Sequence, residues 1–344
     1  MAVMITGGAG YIGSHAVQRM LRDGHEVVAF DSLGRGHREP MDLLKQQDYG
    51  KKLTFVEGDI ADRETVAGLI RDHGVDTVMH FAALAYVGES VTEPLRYYRN
   101  NTAGTLSLLE AVEETGVSRF VFSSTCATYG EPTPPIREDA AQSPINPYGV
   151  SKLHVEHMLR DFGHKQRLAG NPFGWAALRY FNVAGSDRTC LIGEDHDPET
   201  HLIPVILNTV LGKRESISIF GTDYPTPDGT CIRDYVHVED LVDAHVHVMD
   251  AIEHGDERFY NLGIGRGYSV REIIDAVKRV TGVDFKVTET ARRSGDPPEL
   301  YADPAKIQSE LGWKASITDV DEVIATAWAW FEKNPRGYAG GQNG

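Results

Sequence analysis

Tyr148 and Lys152 stand four residues apart in the string Asn146-Pro147-Tyr148-Gly149-Val150-Ser151-Lys152, and Thr125 closes an apolar run upstream. Asn146 is suited to cap a helix with Pro147 at its first position, which places Tyr148 and Lys152 one above the other on one face. The same stripe continues to Val155 and Leu159, so that face points inward. A lysine on a core-facing stripe is costly unless something uses its charge. A phenol with an ordinary pKa of about 10 is too weak a base at neutral pH. An ammonium roughly 5 Å away, at an effective dielectric near 20, favours phenolate by about 3 kcal/mol, or about two pKa steps. The chemistry expected is proton transfer by Tyr148, tuned by Lys152, with the Thr125 hydroxyl bridging Tyr148 and a substrate oxygen.

Such a pair needs a scaffold and a redox partner, and the N-terminus offers both. Thr6-Gly7-Gly8-Ala9-Gly10-Tyr11-Ile12-Gly13 lies between an apolar run and a helical pattern. Gly7, Gly10 and Gly13 allow a tight turn and let backbone N–H groups approach a pyrophosphate at a helix N-terminus. A glycine triplet alone is a weak signal; its strand–turn–helix setting gives it weight. Asp31 ends the second run, 18 residues beyond Gly13. A carboxylate there accepts from a ribose hydroxyl and repels a 2′-phosphate, so NAD is expected rather than NADP, with nearby Arg35 the one feature that blurs the preference. Ser32 follows Asp31, while Asp59-Ile60 and Phe81-Ala82-Ala83 end later runs, where open α/β sheets bind ligands.

The runs at 3–6, 26–31, 53–59, 77–83, 120–125 and 176–183 alternate with helical patterns at 13–23, 63–72, 95–116 and 148–165. Several runs are almost wholly apolar, as parallel strands covered on both faces are. The expected fold is a Rossmann-type, doubly wound parallel α/β sheet with right-handed crossovers. Past residue 184 the regularity fails: 185–235 is rich in Gly, Pro, Asp and Thr, with only short elements such as 216–220. Helical patterns return at 238–252, 269–281 and 318–331. The expected division is a dinucleotide-binding domain over 1–180 and a smaller mixed substrate domain over 181–344. Fifty acidic against 34 basic side chains give a formal charge of −16, which argues against nucleic-acid or anionic-membrane partners. Three widely spaced cysteines, no bilayer-length apolar run and no basic leader at Met1 point to a reducing, cytoplasmic setting.

The glycine loop, Thr125 ahead of Tyr148-x-x-x-Lys152, and Arg179-Tyr180-Phe181-Asn182 together resemble the UDP-glucose (UDP-galactose) 4-epimerase family of extended short-chain dehydrogenases/reductases. The likeness runs through nearly the whole chain and includes Ile219-Phe220-Gly221-Thr222-Asp223-Tyr224-Pro225 and Arg233-Asp234-Tyr235-Val236-His237-Val238. It implies that Tyr11, Ile12, Asn100, Ser123, Tyr180 and Phe181 also line the cofactor site, alongside Tyr148 and Lys152. Asn182, His201, Leu202, Phe220, Arg233, Arg293, Asp296 and Leu300 would hold the UDP-sugar, with the two arginines fit to clamp a diphosphate. It implies removal of hydride from C4, turning of the 4-keto sugar about its diphosphate link, and hydride return to the other face. A homodimer through helices near 95–116 and 148–165 is also implied.

Three positions depart from the bacterial epimerase pattern. Ala85 stands where a lysine is usual, and the strings 85–90, 124–130 and 145–149 look more like those of UDP-arabinose (UDP-xylose) 4-epimerases. His201 replaces an asparagine, and Leu300 replaces a tyrosine that narrows the sugar pocket. UDP-glucose/UDP-galactose is therefore the first expected pair, with UDP-xylose/UDP-arabinose open and an N-acetyl group not excluded. A dehydratase or decarboxylase needs added acid–base groups, which Cys126-Ala127 after Thr125 do not supply. A non-catalytic NAD sensor would have no use for Thr125, Tyr148 and Lys152 together. No metal site is expected: His245 and His247 fall about 200° apart on a helix, and Asp195-His196-Asp197 reads as polar capping. Cys126 reads as a small packing residue.

Overall fold

A computed structural model of the chain describes residues 1–293 and 296–338. These residues fall into two compact units: Met1–Glu131, Glu138–Tyr180 and Val242–Tyr260 form one, and Pro132–Arg137, Phe181–Leu241 and Asn261 onward form the other. The chain thus passes between units at 180/181, and the short stretch 132–137 and the longer 242–260 interleave with the opposite unit.

The first unit is built on a seven-stranded sheet. Its spatial order is Glu257–Leu262, Gly174–Tyr180, Arg119–Thr125, Thr77–His80, Ala2–Thr6, Glu26–Asp31, Leu53–Glu57. Every pairing among the first six strands of the chain is parallel. The strand order reverses between Ala2–Thr6 and Thr77–His80, which creates the crevice where doubly wound sheets take their ligands. All five residues of Ala2–Thr6 and all seven of Gly174–Tyr180 are buried, so these strands are covered on both faces. On one face, Met4, Val28, Phe30, Phe120 and Phe122 pack against Leu108, Val155 and Leu159 from the helices.

Three expected elements come out differently. The strand expected at 176–183 stops at Tyr180, and Asn182–Ala184 pairs instead with Tyr235–His237 in a separate sheet. The strand expected at 77–83 ends at His80, which leaves Phe81-Ala82-Ala83 as loop beside the glycine turn. The helix expected at 95–116 is broken into Pro94–Tyr97, a π-helical turn Tyr98–Ala103, and Gly104–Thr115. Its cause is Asn101: the buried carboxamide accepts from Leu84 N (2.8 Å) and donates to Leu84 O and Ser151 Oγ (both 3.0 Å). A bulge of this kind widens the turn so that one side chain can leave the helix's own surface.

The second unit carries small sheets and helices of its own. Ile217–Phe220 pairs with Val287–Thr290, and Ile232–Arg233 lies between Tyr268–Ser269 and Glu299–Leu300. A helix Leu202–Val210 occupies the stretch expected to be irregular. Val270–Thr281 starts at a reciprocal capping box between Ser269 and Glu272 and packs on Val320–Lys333. The buried Asp234 carboxylate accepts from the N–H groups of Ile264 (2.9 Å) and Ala302 (3.2 Å), tying three segments together. Burial still raises its pKa to about 7. No helix among the described residues is long and apolar enough to cross a membrane.

Candidate active site

The glycine turn follows Ala2–Thr6 directly and is fixed by Gly7 N–H on Phe30 O (2.8 Å). Gly7 has φ +74°, and a Cβ there would lie 2.5 Å from Ala82 N. A Cβ on Gly13 would lie 2.0 Å from Gly7 O. Both positions admit only glycine, and they bring the turn against the 81–83 loop at the sheet's crossover point. The helix Tyr11–Arg22 begins at Gly10 with no side-chain cap and no acidic residue in its first turn. With no acidic side chain in its first turn, this helix end suits an anion.

Asp31 is buried and accepts from Ala9 N (3.0 Å) and Leu33 N (2.8 Å). Burial pushes its pKa up, opposed by those backbone N–H groups. Asp31 thus braces the glycine turn from below, and a two-oxygen carboxylate retains acceptor capacity for a ribose hydroxyl. Arg35 binds Glu89 (2.5 Å) and stacks on the Tyr86 ring (4.8 Å), so its guanidinium is already paired. Ser32 stands beside Asp31, Asp59 caps the next turn through Ala61 N (2.9 Å), and Ile60 is buried. Asn100 donates to Asn101 Oδ1 (2.9 Å) within the π-turn. Turn, uncapped helix end and bracing carboxylate together fit the NAD expected from the sequence.

Thr125 ends its strand and sits buried, accepting from Ala127 N (3.1 Å). Helix Pro147–Ala169 begins as expected, with Asn146 Oδ1 accepting from Gly149 N (2.8 Å). Tyr148 in its first turn is half-buried, with the Thr125 hydroxyl near enough to favour its phenolate. One turn on, Lys152 is buried, donating to Ser123 O (2.7 Å), with its ammonium 4.8 Å over the Phe122 ring. Val155 and Leu159 are fully buried on the same stripe. The tuning differs from expectation. Burial pushes Tyr148 up to about 12, offset in part by Thr125, and pushes Lys152 down to about 7. Burial of the phenol outweighs the Thr125 contribution, so in the protein alone Tyr148 remains a proton holder. Ser123 Oγ is hydrogen-bonded to the Tyr180 hydroxyl, whose pKa is raised by burial.

Two features escaped sequence reasoning. Glu156 lies fully buried one turn beyond Lys152 and takes both forks of Arg179, Nε at 2.9 Å and Nη2 at 2.6 Å. Ser124 Oγ (2.6 Å) and Gln142 Nε2 (2.9 Å) complete its bonding. His80 is held between Thr6 Oγ1 (2.7 Å) and Thr105 Oγ1 (2.8 Å), and burial lowers its pKa to about 3, so it is neutral. The residues weighed for a metal near 237–247 diverge: Asp240 binds Ser316, His245 packs on Phe81, and His247 bonds to Asp243 O.

In the second unit, Arg233 Nη2 reaches Asp296 Oδ1 (2.6 Å), and Leu300 pairs with Arg233 across the strands. Arg293 lies 3.8 Å over the Phe220 ring at the end of Ile217–Phe220. Tyr224 adjoins Cys231, Asp296 and Arg292, which brings this group together. Asn182 opens the strand beside Tyr235–His237, Phe181 precedes it, and His201 and Leu202 begin the helix Leu202–Val210. His201 Nδ1 faces Glu199 Oε1 (3.0 Å) and Glu194 Oε1 (3.1 Å), a pairing that no asparagine makes with the same charge.

Comparison with known proteins places this geometry. The "NAD dependent epimerase/dehydratase family" model matches residues 3–263. The chain is 46% identical over 343 residues to the UDP-glucose 4-epimerase of Lactobacillus helveticus, covering 98% of this chain and 99% of the relative. It is likewise 46% identical over 344 residues to the "Probable UDP-arabinose 4-epimerase 3" of Oryza sativa subsp. japonica, covering 98% of this chain and 83% of that protein. A solved UDP-glucose 4-epimerase from Stenotrophomonas maltophila, with bound NAD and formylated UDP-arabinopyranose, superposes with a TM-score of 0.92 at 39% identity, over 98% of this chain and 99% of that one. With a matching scaffold, a glycine-only turn and the Thr–Tyr–Lys group in place, the chain belongs to the NAD-dependent epimerase/dehydratase family.

Proposed function

We propose that the protein inverts C4 of a UDP-sugar by transient oxidation with bound NAD, with UDP-glucose/UDP-galactose as the first pair and UDP-xylose/UDP-arabinose as the second. The observation that carries this is Tyr148 beside the Thr125 hydroxyl, with the buried Lys152 one turn beyond on the same helix face. Bound NAD supplies the hydride acceptor and donor for C4 and, while oxidised, a positive ring that favours phenolate. Tyr148 takes the proton of the C4 hydroxyl as the carbonyl forms and returns it to the same oxygen when, after the sugar turns, the carbonyl is reduced from its other face. Thr125 Oγ1 orients that hydroxyl and relays the hydrogen bond. Lys152 Nζ, fixed by Ser123 O, adds positive charge behind the phenol. Cys126-Ala127 after Thr125 offer no acid–base group for water elimination, which favours epimerase over dehydratase or decarboxylase chemistry; an intact trio disfavours a non-catalytic NAD sensor.

NAD is then held through Gly7, Gly10, Tyr11, Ile12, Gly13, Asp31, Ser32, Asp59, Ile60, Phe81, Ala82, Ala83, Asn100, Ser123, Tyr148, Lys152, Tyr180 and Phe181. The second unit holds the UDP part through Asn182, His201, Leu202, Phe220, Arg233, Arg293 and Asp296, with Leu300 leaving room at the sugar. Tight diphosphate contacts with few sugar contacts suit a reaction in which the sugar must turn while its anchor does not. A homodimer in the cytoplasm completes the reading, and Leu95 and Leu106, 79% and 50% exposed near the π-turn, supply apolar surface for it. The test is NMR of each sugar pair incubated with purified protein and no added NAD. Interconversion of UDP-glucose and UDP-galactose is expected; no interconversion of any pair, even with NAD added, overturns the reading.

A further inference from the structure

The loop before helix Leu202–Val210 carries two acid–histidine pairs in near-symmetrical spacing, Glu194-x-His196 and Glu199-x-His201. Each offers one ligand atom, and the four atoms lie within 4.8 Å of one another. Both imidazoles present Nδ1. His201 Nδ1 is 3.1 Å from Glu194 Oε1 and 3.0 Å from Glu199 Oε1. His196 Nδ1 is 3.2 Å from Glu194 Oε1 and 3.5 Å from Glu199 Oε2. Four ligands at about 2.0–2.1 Å from a tetrahedral Zn²⁺ are about 3.3–3.4 Å from one another. The nitrogen–oxygen separations, taken to Glu194 Oε1 and to the two oxygens of Glu199, bracket that edge, and every remaining edge is within 4.8 Å, so the side chains close on the ion by about 1 Å or less.

The surroundings support ligand roles. Glu194 is buried, and Glu199 Oε1 accepts from Thr200 N (2.7 Å) and His201 N (2.8 Å), which fixes its carboxylate from behind. Glu194, His196 and Glu199 line a pocket of about 520 Å³ whose wall includes Trp330 and Phe331, so an ion has both access and a low-dielectric flank. Charge balances in a loaded site: one divalent cation, two carboxylates and two neutral imidazoles. Aspartates 195 and 197, which the sequence brought to attention together with His196, are not among the four.

We infer that Glu194, His196, Glu199 and His201 form a structural site for a divalent transition-metal ion of the Zn²⁺ type, clasping the loop that leads into helix Leu202–Val210. Four protein ligands close the tetrahedron and leave no open position for substrate, so the role is architectural. The ion takes no part in the transfer at C4; the two readings share His201, which would carry the ion through Nδ1 and keep Nε2 for the UDP contact.

The test uses tag-free, cofactor-loaded protein, stripped with a chelator and titrated with Co²⁺ as a spectroscopic stand-in. Wild type is expected to take up one Co²⁺ per chain with the strong visible absorption of a tetrahedral site, displaced by one equivalent of Zn²⁺. His196→Gln is expected to weaken uptake at least tenfold, in line with the loss of a site group. Glu199→Gln, judged folded by circular dichroism, should do the same and provides the comparison if His196→Gln does not fold. Absence of stoichiometric uptake by wild type overturns the proposal, as does tetrahedral absorption that survives undiminished in both variants. Zn²⁺ should also raise the melting temperature of wild type and leave that of the folded variant unmoved.

Discussion

Replacing Lys152 by methionine should cut turnover sharply and, below neutral pH, make the protein more stable. A lysine whose pKa falls from 10.5 to about 7 carries a burial cost for its charged form. Three to four pKa steps at about 1.4 kcal/mol each put that cost near 5 kcal/mol as an upper figure. The Phe122 face, 4.8 Å away, returns about 1–2 kcal/mol to the ammonium. Deleting the donor leaves Ser123 O without its 2.7 Å partner, at about 1–3 kcal/mol. Methionine should therefore gain up to about 3 kcal/mol at pH 6. The sign follows from linkage: the folded pKa lies below the unfolded one, so the cost is fully present below about 7 and fades as pH rises towards 10.5. Near pH 10 only the orphaned carbonyl remains, and the variant should be the less stable protein. Thermal midpoints at pH 6 and pH 10, at matched cofactor occupancy, measure the crossover; turnover should fall about 100-fold or more. Equal destabilisation at both pH values would refute the claim that the ammonium is held at a cost.

Tyr148→Phe should lower turnover by about 10²–10⁴ while UDP-sugar binding, read by calorimetry, stays close to wild type. Gly13→Ala would set a Cβ 2.0 Å from Gly7 O, so purified protein should lose its bound NAD, seen by absorbance after denaturation, and melt earlier by several degrees. Glu156→Gln removes the charge that Arg179 meets at 2.6 Å inside the core, and denaturant unfolding should show a loss of about 3–5 kcal/mol.

The elements that local pattern determines were legible. The run at 26–31 is the strand Glu26–Asp31, and the stripe through Tyr148, Lys152, Val155 and Leu159 is a buried helix face. Turn chemistry was equally readable, since Gly7 and Gly13 meet backbone that admits no side chain. What the sequence hid depends on partners far along the chain. Asn101 reads as one more polar residue in a helical pattern until Leu84 and Ser151 arrive beside it and the helix opens by a turn. Glu156 reads as a solvated acid until Arg179 is delivered by a strand 23 residues on. The second unit was least legible because its two- to four-residue strands are too short to show a period, and Leu202–Val210 is too apolar throughout to show a polar face. The direction of the Tyr148 pKa was missed for a related reason: spacing gives the position of Lys152 but not the desolvation of the phenol, which outweighs its neighbours.

The Glu156–Arg179 pair explains how a charged lysine can be held beside a phenol in a packed core. Ser124 Oγ binds Glu156 at 2.6 Å, and Ser124 immediately precedes Thr125, so the same carboxylate that neutralises Arg179 also fixes the strand end carrying the bridging hydroxyl. Glu156 is one turn beyond Lys152 and raises the pKa of its ammonium against the burial that lowers it. A neutral residue at 156 would leave Arg179 unmatched and let Lys152 lose its proton more readily. One buried ion pair thereby performs two tasks, registering the helix Pro147–Ala169 against the strand Arg119–Thr125 and keeping the lysine chargeable near neutral pH. Replacing such a pair by apolar residues would typically cost little stability. Its presence is therefore better accounted for by the geometry and charge it imposes on Thr125, Tyr148 and Lys152 than by any contribution to the core.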